Sequence, residues 1–177
     1  MAGFGKGEYF VFRKCIVMIF VTIGTQEPFD RLLAIIAAFS LETDEKIIVQ
    51  ACTEITFPNN VEVHEFLSPK EFDYFFDNSR FIIAHAGMGS IISALYKNRP
   101  IVIFPRIAAL GEHRNEHQLA TARRMRKENM VYVAFSEEEL LLLLRELTNK
   151  DTIASLCEIG PFASNELLNS LEEFISH

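Results

Sequence analysis

The sequence predicts an α/β fold, a single parallel, doubly wound sheet with helices on both faces. Six short apolar runs alternate with stretches of helical spacing along most of the 177 residues. Several runs are apolar at every position, as strands are when helices cover both faces of a sheet. The predicted strands cover residues 16–23, 46–51, 61–65, 81–85, 101–104 and 130–135. Such alternation of strands and helices indicates a parallel sheet.

Capping residues mark the starts of several predicted helices. Ser68, Pro69 and Glu71 form the pattern of a capping box with proline at the first helical position. Ser136 and Glu139 form a second capping box ahead of a leucine run. A last helix is predicted from an apolar stripe made of Leu167, Leu168, Leu171, Phe174 and Ile175.

Length and composition indicate one domain. A chain of 177 residues with 49% hydrophobic and 23% charged residues has room for one domain of ordinary composition. Residues 1–14 show no clear periodicity, and we interpret residues 1–17 as a lead that is disordered or precedes the true start. The domain is therefore expected over residues 18–177. A net charge of −7 argues against a nucleic-acid partner, because affinity for phosphates depends on clustered cations.

The cysteines and the hydropathy pattern predict a cytoplasmic protein. Cys15, Cys52 and Cys157 are far apart and show no CxxC spacing, which is typical of reduced thiols. The apolar run at 15–23 is too short to span a membrane, and no small-residue cleavage site follows it. Any membrane location is therefore expected to depend on another protein.

Two glycine-containing strand ends are candidates for anion binding. Gly24 permits a tight turn after the first strand, and Thr25 offers a hydroxyl and an N–H group. The same dipeptide also suits a plain connecting turn.

The second of these strand ends is richer in candidate residues, because a helix follows it directly. It carries His85, Gly87, Met88, Gly89 and Ser90. Its two glycines let the backbone approach a ligand, and the helix presents unpaired N–H groups to an anion. Ser90 can cap this helix or bind a phosphate, and these uses compete.

A polar segment follows the fifth predicted strand and is a third candidate. Glu116 and Gln118 offer groups suited to sugar hydroxyls, and His117 suits a phosphate or a hydroxyl. The alternatives are a solvated helix start, or a zinc ion shared by His113 and His117 on one helix. The basic run at 123–127 is interpreted as a solvated helix face, with contact to lipid phosphates as the alternative.

Three segments together resemble the C-terminal half of family 28 glycosyltransferases, which have the GT-B fold. They are FVTIGTQEPFDRLL, IIAHAGMGSIISAL and PIVIFPR with the later GEHRNEHQLATA, and the resemblance covers about residues 18–176. It implies a single Rossmann-like half domain of the GT-B C-terminal type. The chain is similar to the small subunit of split bacterial capsule or exopolysaccharide glycosyltransferases. It also resembles the catalytic subunit of the two-part transferase that extends dolichol-linked sugar with N-acetylglucosamine.

The resemblance implies a role for each candidate residue. The backbone near Phe66 would meet the uracil, and His85 would shape the pocket, with Met88 beside it. The donor sugar and phosphates would face Arg106, Glu116, His117 and Gln118. The diphosphate would be cradled by Gly24, Thr25, Gly87, Gly89 and Ser90. One departure concerns Ser93, because many relatives carry an acidic residue there that binds the ribose.

The implied function is that of the donor-binding catalytic subunit of a two-part inverting glycosyltransferase. It would move a hexose from a UDP-sugar to a lipid-linked saccharide in polysaccharide biosynthesis, without a metal or other cofactor. A membrane-attached partner would supply the acceptor site and the membrane anchor. No residue of the sequence stands out as the general base, so the partner is its expected source. The alternatives are a non-catalytic nucleotide-sugar-binding or regulatory homologue and a sugar-nucleotide epimerase. A docking face without its partner can also pair with itself, giving a homo-oligomer in isolation.

Overall fold

The computed structural model describes residues 18–24 and 27–159 and confirms the α/β fold. Its six strands are all parallel and lie in the order β3-β2-β1-β4-β5-β6. The strands are β1 Met18–Thr22, β2 Lys46–Gln50, β3 Val61–His64, β4 Phe81–His85, β5 Ile101–Phe104 and β6 Tyr132–Val133. The order reverses between β1 and β4, and ligands of such sheets bind at the carboxyl ends of the strands beside this reversal.

Helices cover both faces of the sheet, as predicted. They are α1 Asp30–Ser40, α2 Pro69–Asn78, α3 Met88–Tyr96, α4 His117–Lys127 and α5 Glu137–Thr148, with a short 3₁₀ turn at Ala108–Leu110. Side chains of α1 and α5 share one buried cluster with one face of the sheet. Side chains of α2, α3 and α4 share a second cluster with the other face. The central strands are therefore apolar on both sides because each side contacts helices.

The observed strands are shorter than some of the predicted ones. The run at 130–135 forms a strand only over Tyr132–Val133, because this outer strand pairs with β5 at two positions. Residues 16 and 17 of the first predicted strand lie outside the described residues, as does the helix predicted over 167–175. Within the described residues, no helix is long and apolar enough to cross a membrane.

The predicted capping box of α2 is present, and that of α5 is present only in part. Ser68 Oγ accepts from the Glu71 N–H group at 3.4 Å, and the Glu71 carboxylate accepts from the Ser68 N–H group at 2.9 Å. Ser136 Oγ accepts from the Glu139 N–H group at 3.2 Å. The Glu139 carboxylate accepts instead from the Phe135 N–H group at 2.7 Å, one residue before the cap. Helices α2 and α5 therefore begin with side chains that satisfy their own backbone donors.

The basic run forms the last turns of α4. Met125 within it is buried, while Arg124 pairs with Glu128 and Arg126 pairs with Glu139 on the surface. These contacts support the interpretation of a solvated helix face. Cys52 and Cys157 are free thiols, and Cys15 lies outside the described residues.

Candidate functional site

Two adjoining cavities lie at the carboxyl ends of the central strands. The first, of about 260 Å³, is lined by Ile23, Gly24, Glu27, His85, Arg106, His113 and Gln118. The second, of about 390 Å³, is lined by Ile23, Gly24, Glu27, Pro28, Cys52, Glu65 and Phe66. The shared residues follow β1, so the two cavities meet beside the reversal of strand order. Together they form a groove that runs from β5 to β3.

The amino end of α3 opens at this groove without a side-chain cap. The helix begins at Met88, and Gly87 occupies the N-cap position with no capping hydrogen bond. The prediction that Ser90 can cap the helix is therefore wrong, because the extended backbone of Gly87 already starts the helix three residues earlier. Within the described residues, no acceptor receives the N–H groups of Met88, Gly89 or Ser90. This helix end therefore offers three free donors and the positive end of the helix dipole.

Gly87 and Gly89 differ in what a side chain would meet at each position. A Cβ atom on Gly89 would meet nothing within 4 Å, so no contact inside the protein requires glycine there. Glycine in a helix costs about 1 kcal/mol relative to alanine. A Cβ atom on Gly87 would instead lie 2.3 Å from Nε2 of His85. Of these two glycines, Gly87 therefore makes room for an imidazole and Gly89 faces open space, and the approach of a ligand to their backbone stays a prediction.

His85 lies under the groove as a neutral side chain. Burial, followed by the nearby positive charge of Arg106, lowers the pKa of His85 to about 4. Its Nδ1 atom is buried and has no hydrogen-bond partner within the part of the chain that the structure describes. At neutral pH this imidazole therefore carries no charge that could attract a phosphate.

Arg106 is buried and holds the loop after β1. It is 2% exposed, and its guanidinium donates to the main-chain carbonyls of Ile23 at 2.9 Å and Glu27 at 2.6 Å. It also donates to the carbonyls of Pro28 and, at 3.3 Å, Glu112. The sequence placed Arg106 near the donor sugar, and it does line the first cavity. Its N–H groups, however, are bound to these loop carbonyls.

An ion pair that the sequence analysis missed fixes the loop after β5. Arg31 on α1 donates to both carboxylate oxygens of Glu112, at 2.7 and 2.8 Å. The same carboxylate accepts from the Ile107 N–H group at 2.8 Å. Burial alone would raise the pKa of Glu112, but these hydrogen bonds outweigh it and hold the pKa below its ordinary value. No spacing in the sequence signals this pair, because its members are 81 residues apart.

Of the three site residues predicted at the start of α4, one lines the first cavity and two do not. Gln118 is 8% exposed and lines the first cavity, and its Oε1 atom accepts from the Arg106 N–H group at 3.2 Å. This bond leaves the amide NH₂ group as the donor available to a ligand. Glu116 and His117 are exposed and line neither cavity. Gln118 therefore joins the site, whereas Glu116 and His117 lie at its margin.

His113 and His117 do not lie on one helix, as a shared zinc ion would have required. Helix α4 begins at His117, so His113 precedes it and the two do not share a helical face. His113 lines the first cavity instead. In residues 18–24 and 27–159, no three His, Cys, Asp or Glu side chains are grouped so that they could hold a metal ion.

Of the remaining predicted residues, one lines the second cavity and one lies outside the described residues. Phe66 follows β3, is 75% exposed and lines that cavity. Thr25 lies outside the described residues. Glu27, which the sequence analysis did not select, lines both cavities. Its place in the loop after the first strand was the available signal.

The fold and this groove define a Rossmann-like α/β domain with an open site at its switch point. The model of the glycosyltransferase family 28 C-terminal domain matches residues 18–156, which is more than half of the chain. The chain therefore belongs to glycosyltransferase family 28 through its C-terminal domain. No curated protein matches it in sequence.

Solved structures confirm the half domain of the GT-B fold. The glycosyltransferase of kitacinnamycin matches with a TM-score of 0.58 and 16% identity, covering 84% of this chain and 40% of that one. MurG of Acinetobacter baumannii matches with a TM-score of 0.54 and 19% identity, covering 75% of this chain and 41% of that one. ALG13 matches with a TM-score of 0.55 and 20% identity, covering 88% of this chain and 94% of that one. The chain thus spans about two fifths of the first two proteins and nearly all of the third.

Proposed function

We propose that this chain is the donor-binding catalytic subunit of a two-part inverting glycosyltransferase. It would transfer a hexose from a UDP-sugar to a lipid-linked saccharide in polysaccharide biosynthesis, such as that of capsule or exopolysaccharide. The observation that carries the proposal is the uncapped amino end of α3, with open space at Gly89, beside two joined cavities.

The diphosphate would lie at the amino end of α3. Three N–H groups that have no acceptor among the described residues would attract an anion together with the helix dipole. Gly89 has no side chain, so the diphosphate would have open space beside it. Ser90, in the third position of the helix, would add a hydroxyl donor. Because His85 is neutral, the helix end rather than the imidazole supplies the attraction.

The two cavities would divide the rest of the donor between them. The second cavity carries the exposed ring of Phe66 and would take the uracil. The first carries the amide of Gln118 and the ring of His113 and would take the hexose. Gly24 borders both cavities, so a diphosphate between them would pass this turn.

The mechanism would rest on the charge that develops on UDP as it leaves. Donors that are fixed before the reaction stabilise such charge without reorganising. Free N–H groups at α3 would do this while the acceptor hydroxyl attacks the anomeric carbon from the opposite side. The general base that accepts the hydroxyl proton would belong to the partner, since no side chain of this site is assigned to that role. The proposal includes no metal ion.

The acceptor would be held by a separate, membrane-attached subunit. The chain spans only two fifths of the kitacinnamycin glycosyltransferase but 94% of ALG13. A half domain of this extent presents its groove to whatever protein completes the cleft. We propose that this protein binds the lipid-linked saccharide and holds the chain at the cytoplasmic face of the membrane.

Thermal unfolding with a panel of ligands tests donor binding. UDP at about 100 times its Kd should add about 2.7 kcal/mol of stability, a shift of several degrees. Uridine, ADP and NAD serve as controls, and chelator is present throughout. Stabilisation by UDP alone is expected, while no response to UDP, or an equal response to NAD, would contradict the proposal. Binding without sugar transfer when the membrane subunit is present would favour the regulatory homologue.

A further inference from the structure

We infer that the imidazole of His85 is a spacer that sets the separation between the turns after β1 and β4, and thereby positions both turns on the donor diphosphate. The inference rests on the proposed function, and it assigns His85 a positioning role without contact to the reacting atoms. Its evidence is the geometry of two glycines around one ring.

One edge of the His85 ring contacts both turns. A Cβ atom on Gly87 would lie 2.3 Å from Nε2 and 2.9 Å from Cε1. A Cβ atom on Gly24 would lie 3.0 Å from Cε1 and 3.4 Å from Nε2. The same two ring atoms therefore face both glycines, and the ring fills the space between the two turns.

The backbone of Gly87 shows that the ring, and not the conformation, requires glycine. Gly24 has φ of +77°, a left-handed value that by itself favours glycine. Gly87 has φ of −85° and ψ of 133°, which any residue adopts without strain. Its missing side chain is therefore explained by the contact with His85.

The elements around the ring hold it in place. Strands β1 and β4 are neighbours, with Thr22 opposite Ala84, so the two turns leave the sheet side by side. The Gly87 N–H group donates to the His85 carbonyl at 2.8 Å, which folds the second turn back over the ring. Arg106 holds the carbonyl of Ile23, the residue before Gly24. In the described residues, the three atoms nearest to a Cβ built on either glycine all belong to the His85 ring.

A cycle of variants tests the spacer, with the Kd for UDP from calorimetry and the melting temperature as readouts. His85→Ala should weaken UDP binding by about 10- to 100-fold, the range expected when binding groups move by about 1 Å. Gly87→Ala should weaken it similarly, because the methyl displaces the ring. In His85→Ala/Gly87→Ala the methyl finds room, so binding should be no weaker than in His85→Ala alone. Gly89→Ala is the matched control: its loss of affinity should add to that of His85→Ala.

A polar variant separates spacing from hydrogen bonding. His85→Asn keeps a polar group near Nδ1 but lacks the Cε1–Nε2 edge, so it should bind UDP no better than His85→Ala. Normal UDP binding by Gly87→Ala or His85→Asn would overturn the inference, as would full additivity of the His85 and Gly87 effects. A fall in melting temperature with an unchanged Kd would also overturn it. If the wild-type chain itself fails to bind UDP, the proposed function fails, and the melting temperatures of the same variants still test the contact.

Discussion

Helices at the edges of the sheet and the helix at its centre begin in opposite ways. Helices α2 and α5 follow the outer strands, and each has serine at the N-cap and glutamate three residues later. Helix α3 follows the central strand β4 and has Gly87 and Ser90 at those two positions. All three helices begin at the carboxyl edge of the sheet. The difference teaches that side chains satisfy the backbone donors at both edges of the sheet, whereas the donors of α3 are left open beside the switch point.

The central loops are held by a different kind of contact. Side chains within three residues cap α2 and α5, whereas Arg106 reaches carbonyls 78 to 83 residues away. Arg31 reaches Glu112 across 81 residues. Long-range contacts therefore order the centre without using the donors of α3.

The largest effect is expected from Arg106→Met, which removes the buried donor to four main-chain carbonyls. We expect a loss of about 3 kcal/mol in the free energy of unfolding, measured by urea denaturation. The matched control is Arg124→Met, because Arg124 makes only a surface ion pair with Glu128 and should lose less than about 1 kcal/mol. Equal losses in the two variants would contradict the role of Arg106 as a loop clamp.

Ser90→Glu gives the central helix the glutamate that the edge helices have. The carboxylate should stabilise the helix end by about 0.5 kcal/mol. By occupying the donors and repelling phosphate, it should weaken UDP binding by about 100-fold, or 2.7 kcal/mol. Ser90→Gln has the same shape without the charge and should weaken binding less. Calorimetry at constant ionic strength measures the UDP affinity of both variants. Unchanged affinity in Ser90→Glu would contradict the claim that the open donors of α3 bind the diphosphate.

Glu112→Gln tests the long-range ion pair through its pH dependence. At pH 7 the loss of charged hydrogen bonds to Arg31 should cost about 2 kcal/mol of stability. The pKa of Glu112 is lower in the folded state than the ordinary value of 4.5. Its stabilisation is therefore complete above that value and disappears as pH falls through the folded pKa. Urea denaturation at decreasing pH should show the stability difference between the two proteins shrinking below pH 4.5, and a difference that does not change with pH there would argue against the pair.

Ser136→Ala removes a cap at the sheet edge and should have the smallest effect. We expect a loss of about 1 kcal/mol and a melting temperature lower by about 2–4 °C, with unchanged UDP affinity. Ser90→Ala is the control, because its hydroxyl caps nothing and its loss should leave stability unchanged. A loss of UDP affinity in Ser136→Ala would contradict the assignment of UDP binding to the central helix alone.

Features that depend on neighbouring residues could be predicted from the sequence. The capping box at Ser68, the N-cap at Ser136 and the places of the six strands follow from local spacing and are observed, although several strands are shorter than predicted. The glycine motif of the central helix was also found from local spacing. The need for glycine at Gly87 itself could not be found in this way. That need comes from the position of the His85 ring, which depends on how the turn folds back.

Features that depend on distant residues could not be predicted. The family resemblance implied that Arg106 lies near the donor, but its bonds go to a loop far away in sequence. Glu116 and His117 were selected with Gln118, and only the start of α4 decides which of them points into the groove.

Amide chemical shifts measured by NMR during a UDP titration test the central claim most directly. The account predicts that the amides of Met88, Gly89 and Ser90 shift and saturate with UDP, and that uridine without phosphates moves them far less. The capped amides of Glu71 and Glu139 should stay in place. Shifts of equal size at the capped helices, or none at α3 while UDP binds, would contradict the assignment of the diphosphate to the open helix end.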